Sequence, residues 1–386
     1  RMLWAFASLI CVRRSFLDAA GEVSPKVAVQ SKSLDVANML WACARFDMRG
    51  DVLVDTLVDQ ATMRVSEFPP QELANVVQGL ATLECLSQPM AGKSAMRLAA
   101  DDLKTQDVAN TLWAFGTAVH RGAPFTGEST AYSRLARSAV EVLPEASSQE
   151  FANIVWAVAT LACGEESVYQ AIDAEALVKL SPIGAPYGSD GARHPAFAFG
   201  IVHGLRLLGR LSELHLQAAE EVGRAWAVVN DSKAPPLPTP GRVEDRKAEM
   251  PYVLQDTSHF CILAKPPGWT VSVSHSTGAE EGHYSATQGH GKDSRRLQDW
   301  IMEKLGPKHP IALDASAAHG LLHRLDRETS GGILCAKSYL GSYMAQLQFE
   351  AGQLRKTYLC LCENHAPVTC PWFIELPLAN SRGKSV

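Results

Sequence analysis

The sequence predicts a multidomain chain: an all-α helical repeat solenoid followed by an α+β domain with a mixed sheet. A helical pattern recurs at nearly regular intervals in the first part, and short strands with turn residues between them occur in the last part. A proline-rich segment separates the two patterns. We therefore predict a repeat array over residues 1–229, a linker over residues 230–250 and a second domain over residues 251–386. Hydrophobic residues make up 46% of the chain and charged residues 20%, which is typical of globular proteins.

The repeated unit of the first part contains an Asn that is followed three residues later by a Trp or its equivalent. Each copy opens with a polar residue suited to the first turn of a helix and continues with apolar residues at helical spacing. Second helices are predicted between the copies, for example over residues 52–63 and 131–142. An interval of this size indicates helix pairs that stack as a solenoid. The Trp-equivalent positions, separated by 37, 37, 35, 43 and 47 residues, are Trp4, Trp41, Gln78, Trp113, Trp156 and His203.

The repeated Asn and Trp residues have two interpretations each. The Asn side chains either contact a ligand or form hydrogen bonds between helices, and we expect the second. The Trp side chains either stack on nucleobases or belong to the core, and again we expect the second. The repeated Asn residues are Asn38, Asn75, Asn110 and Asn153.

Over roughly residues 1–210 the array resembles the α-helical repeats of organellar RNA-binding proteins, the octotricopeptide class and its FAST-kinase-domain relatives. The resemblance implies a role in RNA binding within a mitochondrion or plastid. Residues 1–240 hold 20 Lys and Arg against 26 Asp and Glu, whereas residues 241–386 hold 16 against 15. The acidic balance of the array counts against strong non-specific binding to a phosphate backbone.

Other functional classes find little support in the sequence. No uncharged apolar run is long enough to span a membrane, so none is predicted to do so. The nine cysteines include no Cys-x-x-Cys pair, so neither a zinc site nor a redox motif is predicted. Residues 272–294 contain His275, His283 and His290, which could bind a metal, but their Ser- and Gly-rich surroundings favour a flexible insertion.

The second domain is predicted to contain short strands and two helices. Alternating or continuous apolar patterns predict strands over residues 252–256, 260–265, 333–337 and 355–363. Helical spacing predicts helices over residues 297–305 and 338–354.

The segment richest in chemically active side chains is the polar stretch of residues 323–330, which we call the aspartate loop. Its sequence is His-Arg-Leu-Asp-Arg-Glu-Thr-Ser. Asp326 is flanked by Arg324 and Arg327, which should favour its ionised form. An ionised carboxylate can act as a nucleophile, a base or an ion-pair anchor. By residue type alone, a solvated surface loop with weak ion pairs is an equally simple interpretation.

The order of residues in the aspartate loop resembles the signature of the RluA-type pseudouridine synthases. Lys265-Pro-Pro-Gly268 and Lys356-Thr-Tyr358 resemble two further motifs of that family. The resemblance implies an incomplete pseudouridine synthase-like domain that isomerises uridine in RNA without a cofactor or a metal. The expected partner is therefore ribosomal, transfer or messenger RNA, which the array would help to select.

The resemblance also assigns roles to individual residues. It assigns catalysis to Asp326, which either attacks the ribose C1′ or removes a proton from the sugar. Arg324 would fill the gap left by the flipped base, and Tyr358 would stack on the flipped uracil. The other predicted substrate-binding residues are His323, Arg327 and Thr329.

Two alternatives stay open. Residues 331–338 nearly fit a phosphate-binding Gly-x4-Gly-Lys-Ser loop, with Ala336 in place of the second Gly. The chain could also be a non-catalytic RNA-binding or assembly protein with an inactive synthase-like domain. A third motif of the family, Gly-Arg-x-His-Gln-(Ile/Leu)-Arg, does not occur before Val386, and the chain begins within a repeat. We therefore expect the sequence to be part of a longer protein.

Overall fold

The computed structural model describes residues 7–8, 28–99, 103–122, 129–181, 195–231, 250–271 and 295–359. They belong to two compact units, Arg1–Gln353 and Leu354–Val386. These residues form twelve α-helices and three β-strands. The helices are α1 Ser33–Arg45, α2 Val52–Met63, α3 Pro70–Thr82, α4 Gln88–Leu98, α5 Thr105–His120, α6 Ser129–Val142, α7 Ser148–Leu161, α8 Glu166–Leu180, α9 Pro195–Leu207, α10 Glu213–Asp231, α11 Leu297–Lys304 and α12 Tyr339–Glu350. The strands are β1 Tyr252–Asp256, β2 Phe260–Lys265 and β3 Gly331–Ala336.

Helices α1–α10 form five consecutive pairs. The predicted second helix over residues 52–63 matches α2 at both ends, and residues 131–142 lie within α6. The first helices of the pairs each contact the next first helix, and the second helices do the same. The pairs therefore stack side by side with their two kinds of helix in separate layers. The assignment of this array to a solenoid repeat family, like the domain boundaries at residues 229 and 250, stays a prediction, and residues 232–249 lie outside the described part.

Local sequence features begin the helices and bring them together. Asp51 accepts a hydrogen bond from Leu53 N at 2.8 Å at the start of α2. Ser147 and Glu150 form a reciprocal capping box at the start of α7, which satisfies amide groups that a helix leaves free. Gly204 allows α9 to approach α7 closely, because a Cβ at that position would lie 2.7 Å from Val155 Cγ1.

The repeated Asn and Trp residues lie on the half-buried faces of the first helices. Trp41, Trp113 and Trp156 pack against the array core without being fully buried, so the core prediction is confirmed only in part. Gln78 Nε2 of α3 donates a hydrogen bond to Asn110 Oδ1 of α5 at 3.3 Å. The predicted interhelical bond is therefore present in this copy.

The strands form one sheet in the order β1–β2–β3. The predictions for residues 252–256 and 260–265 are confirmed at both ends. Both strand pairs are antiparallel, whereas a mixed sheet was predicted; parallel pairing in the described residues is limited to one bridge between Thr270 and Arg296. The three-residue connection between β1 and β2 accounts for the antiparallel pairing of those two strands, because parallel neighbours need a longer crossover.

Two helices and one strand of the second domain differ at their ends from the predictions. Helix α11 ends one residue early, and α12 ends at Glu350, before Gly352 with its left-handed φ of +71°. Strand β3 begins two residues early because Gly331 and Gly332 pair with Lys265 and Ala264.

The strand predicted over residues 355–363 is wrong for residues 355–359, the part that the structure describes. These residues form neither helix nor strand in the second unit, and Leu359, predicted on an apolar face, is fully exposed. Alternation of residue types is insufficient, because a strand requires a neighbour for its backbone hydrogen bonds. Residues 360–363 lie outside the described part.

Two hydrophobic cores lie in the first unit. The larger runs through the array and includes Tyr343 and Leu347 of α12. The smaller lies between the sheet and α11, where Leu297, Ile301, Trp300 and Leu305 lie on one side of the helix as predicted. The described cysteines are unpaired, and four of the five are buried. Over the described ranges, no helix has the length and apolar character needed to cross a bilayer.

His309, between α11 and the loop before β3, makes the stability of this unit depend on pH. It is 4% exposed, and its Nδ1 has no hydrogen-bond partner among the described residues. Burial, followed by the nearby charge of Lys337, lowers the pKa of His309 from 6.5 to about 4. Because the folded pKa lies below the unfolded value, stability is complete above the unfolded pKa and falls as the pH drops toward the folded one.

We expect the free energy of unfolding of the wild type, relative to His309→Leu, to fall by about 2 kcal/mol between pH 7 and pH 5. Urea unfolding of both proteins at each pH measures this difference. A difference that does not change with pH would contradict a buried neutral His309.

Candidate active site

The aspartate loop runs from the bridge between Leu321 and Cys335 to the start of β3. Its side chains alternate in exposure: His323 and Leu325 are half-buried, whereas Arg324 and Asp326 are exposed. Leu325 packs against the sheet core. The loop is therefore anchored by alternate residues, while Arg324 and Asp326 are both open to solvent.

A tight turn follows Asp326. Thr329 N donates a hydrogen bond to Asp326 O at 3.1 Å, so Arg327 and Glu328 occupy the centre of the turn. The carbonyl oxygen of Arg327 accepts hydrogen bonds from Gly268 N at 2.9 Å and from Lys265 Nζ at 3.0 Å. The Lys-Pro-Pro-Gly segment that begins at the last residue of β2 therefore holds the backbone next to Asp326.

Lys265 is the residue whose role the sequence did not indicate. It is 1% exposed, and its Nζ donates to Pro266 O and Arg327 O, each at 3.0 Å. Burial lowers the pKa of Lys265, and the negative charges of Glu328 and Asp326 partly offset this effect. A lysine at the end of an apolar strand was the available signal, because a buried ammonium group must find oxygen acceptors.

The chain enters the loop through two buried residues. From its partners, we assign the His319 ring as donating from Nδ1 to Ala312 O and accepting at Nε2 from Gln298 Nε2, both at 3.0 Å. Gly320 has a φ of +78°, and a Cβ there would lie 2.3 Å from Ala336 O. Only glycine lets the chain pass this close to β3.

The His323 side chain contacts other residues of the protein. Its Nε2 accepts a hydrogen bond from Leu334 N of β3 at 3.1 Å, and its ring centroid lies 5.8 Å from that of Phe349 in α12. His323 thus links the aspartate loop to β3 and α12. Its predicted contact with RNA stays a prediction.

The two arginines next to Asp326 do not pair with it in the described part of the chain. Arg327 Nε instead lies 3.6 Å from Glu328 Oε1, and both side chains are exposed. Arg324 and Asp326 are two residues apart and both exposed, so they share one side of the loop, where water weakens the attraction between opposite charges. Among the described residues, the surface ion pairs of the alternative interpretation therefore do not include Asp326.

The remaining predicted site residues are Thr329 and Tyr358. Thr329 is half-buried and closes the turn through its backbone. Tyr358 belongs to the second unit and is 59% exposed. The substrate contacts of both residues stay predictions.

The alternative of a phosphate-binding loop is wrong. Its central residues form β3, and Lys337, which would bind phosphate, has a side chain only 2% exposed. Lys337 Nζ donates to the Asp256 carboxylate and to Thr257 O. It therefore cannot reach a ligand.

Among the residues that the structure describes, no group of three or more His, Cys, Asp or Glu side chains could hold a metal ion. His275, His283 and His290 lie outside those residues.

Replacing Lys265 tests the anchoring of the loop. Lys265→Met removes the hydrogen bond to Arg327 O and also removes a buried charge. The two changes have opposite effects on the free energy of unfolding and partly cancel. Local opening of the turn after Asp326 still becomes easier, because the lysine no longer holds its backbone. We therefore expect the Gly268 and Thr329 amides to exchange with solvent about tenfold faster. Hydrogen exchange measures this, with the exposed Lys308→Met as the control. Equal rates in the two variants would contradict the anchoring role.

Comparison with known proteins bears on the segment that contains this loop. A search of the curated proteins finds no match to the chain. Residues 259–381 match the family model described as RNA pseudouridylate synthase, and the matched region covers β2, the aspartate loop, β3 and α12. The match shows that this segment is similar to RNA pseudouridylate synthases, which are isomerases that act on RNA.

Proposed function

We propose that the protein converts specific uridines in RNA to pseudouridine, with Asp326 at the reacting sugar and the helical array selecting the RNA. The observation that carries the proposal is the position of Asp326 within the matched family region. It is exposed on a loop whose backbone is held by Lys265 and Gly268. A fixed backbone with an accessible carboxylate suits a group that must meet a flipped nucleotide.

The reaction requires one glycosidic bond to be exchanged for another. The bond between ribose C1′ and uracil N1 breaks, a bond between C1′ and C5 forms, C5 loses a proton and N1 gains one. Atoms balance, so no external oxidant, reductant or group donor is needed. The Asp326 carboxylate would stabilise the electron-poor C1′ by attack or would remove a sugar proton.

The other predicted site residues have supporting roles in the proposal. Arg324 faces solvent on the same loop as Asp326 and would occupy the space left by the flipped base. Tyr358 would stack on the uracil, with Lys356 in the same motif. His323, Arg327 and Thr329 would contact the neighbouring RNA.

The catalytic role of Asp326 has a matched control in Glu328, two residues further along the loop, which is also exposed. We expect Asp326→Asn to lower pseudouridine formation at least about a thousandfold, because the carboxylate contributes to the transition state. Glu328→Gln should change the rate less than about threefold, since no step uses it. Tritium release from RNA labelled at uridine C5 measures both.

If wild-type protein binds the same RNA and forms no pseudouridine, the non-catalytic RNA-binding role replaces the enzymatic one. Equal activity of Asp326→Asn and wild type would exclude Asp326 as the catalytic group.

A polar cavity across the first three repeats supports RNA selection by the array. Its volume is about 220 Å³. This is below the roughly 300–1,000 Å³ of pockets for drug-sized ligands, so it suits one planar group. The amides can both donate and accept hydrogen bonds, and Trp41 offers a stacking face. The lining residues are Ala37, Asn38, Trp41, Gln71, Asn75, Gln106 and Asp107.

The charge of the cavity indicates which part of RNA it would accept. Asp107 is 6% exposed, and burial raises its pKa above the usual range. A carboxyl group beside the amides disfavours phosphate and suits the donor edge of a base. We therefore propose that this cavity holds a nucleobase.

We expect the double variant Gln71→Ala/Asn75→Ala to weaken binding of a long target RNA about tenfold, because base hydrogen bonds are lost. Its rate on a short RNA that cannot reach the array should be unchanged. Gln170→Ala, an exposed amide on α8, is the control. Fluorescence anisotropy gives the affinities, and unchanged affinity in the double variant would contradict the selection role.

The similarity of the repeats to those of organellar proteins supports a mitochondrial or plastid location. A fluorescent fusion of the full-length protein, imaged with organelle markers, tests this proposal.

A further inference from the structure

The last helix pair of the array is docked on α12, the helix that follows the aspartate loop and β3. Tyr343 of α12 is 1% exposed, and its hydroxyl donates to Ala219 O of α10 at 2.7 Å. Its ring centroid lies 4.7 Å from that of Phe199 in α9. A Cβ at Gly223 would lie 1.8 Å from the Tyr343 ring, so the two helices meet where α10 has no side chain.

Both ends of α12 are satisfied by array residues. At its start, the carboxylate of Asp231 accepts hydrogen bonds from Tyr339 N at 2.9 Å and from Leu340 N at 3.0 Å. At its end, Arg206 Nε donates to Glu350 O at 2.8 Å. Free amides and carbonyls at helix ends require such partners, and a carboxylate at the start is also favoured by the helix dipole.

A chain of contacts leads from this interface to the aspartate loop. The Tyr339 ring packs edge-on against Trp226 of α10, with centroids 5.7 Å apart. Its hydroxyl donates to Asp314 Oδ2 at 2.6 Å. The backbone oxygen of Asp314 accepts from His319 N at 2.9 Å, four residues before the loop begins. His323 inside the loop contacts Phe349 of α12.

We propose that this docking, and not the connecting segment 232–249, sets the position of the array relative to Asp326. Asp231 is then a positioning residue. The array holds the bound part of the RNA at a fixed distance from Asp326 and so determines which uridine is modified. The choice of uridine rests on the proposed function, whereas the docking itself does not.

The first experiment needs no activity. In the full chain, we expect Asp231→Ala to make the Tyr339 and Leu340 amides exchange about tenfold faster, because both lose their acceptor. Glu221→Ala, an equal change of charge at an exposed position of α10, should leave them unchanged. A flexible Gly-Ser insertion within residues 232–249 should also leave them unchanged. Tyr343→Phe, which removes only the bond to Ala219, provides a second variant that preserves the packing.

The second experiment maps the modified uridine in a long RNA. The insertion should modify the same uridine at the wild-type rate, whereas Asp231→Ala should lose rate on long RNA at least about fivefold more than on short RNA. The proposal is overturned if the insertion loosens α12 or moves the modification, or if Asp231→Ala and Tyr343→Phe behave like Glu221→Ala. An inactive wild type with protected α12 amides would overturn the proposed function and the choice of uridine, and would leave the docking supported.

Discussion

The core of the array and the core beneath the sheet are joined by two buried residues, Lys337 and Ser338. The geometry of the aspartate loop depends on that connection. Strand β3 contributes Ile333 and Cys335 to the sheet core, whereas Tyr343 of α12 belongs to the array core. Between them, Lys337 donates to Asp256 and to Thr257 O, and Ser338 accepts from Gly341 N at 3.0 Å. Turning α12 relative to β3 would leave these polar groups buried without partners, which costs more than a typical hydrogen bond contributes.

The buried lysines show two ways of accommodating a charge. Lys337 has a carboxylate partner, whereas Lys265 has two backbone oxygens, with the carboxylates of Glu328 and Asp326 acting electrostatically. Burial of an ammonium group is costly, so neither lysine is simply a source of stability. Each instead specifies geometry: Lys337 joins the β1–β2 turn to α12, and Lys265 joins the end of β2 to the turn after Asp326.

The array combines an acidic balance with a half-buried polar face, and both properties disfavour simple attraction to phosphate. Selectivity through base edges and stacking suits such a surface better, because it is less dependent on net charge. The docking of α10 on α12 gives this surface a defined relation to Asp326, since side-chain packing and helix capping leave few alternative arrangements.

Much of the fold follows from sequence alone, because helical spacing, strand alternation and capping residues act locally. The pairing of helices, the ends of α2, β1 and β2, and the polar loop around Asp326 were all predicted from such patterns. The antiparallel sheet and the lack of a strand over residues 355–359 were not predicted, because strand pairing depends on which other strand lies alongside. Adjacency along the chain also says little about which side chains meet: in the described part, neither flanking arginine forms an ion pair with Asp326. Only the tertiary structure decided that Lys265 holds Arg327, 62 residues away, and that Asp231 caps α12 from 108 residues away. The spacing of apolar residues along the sequence cannot predict such contacts, because they depend on the path of the whole chain between the two residues.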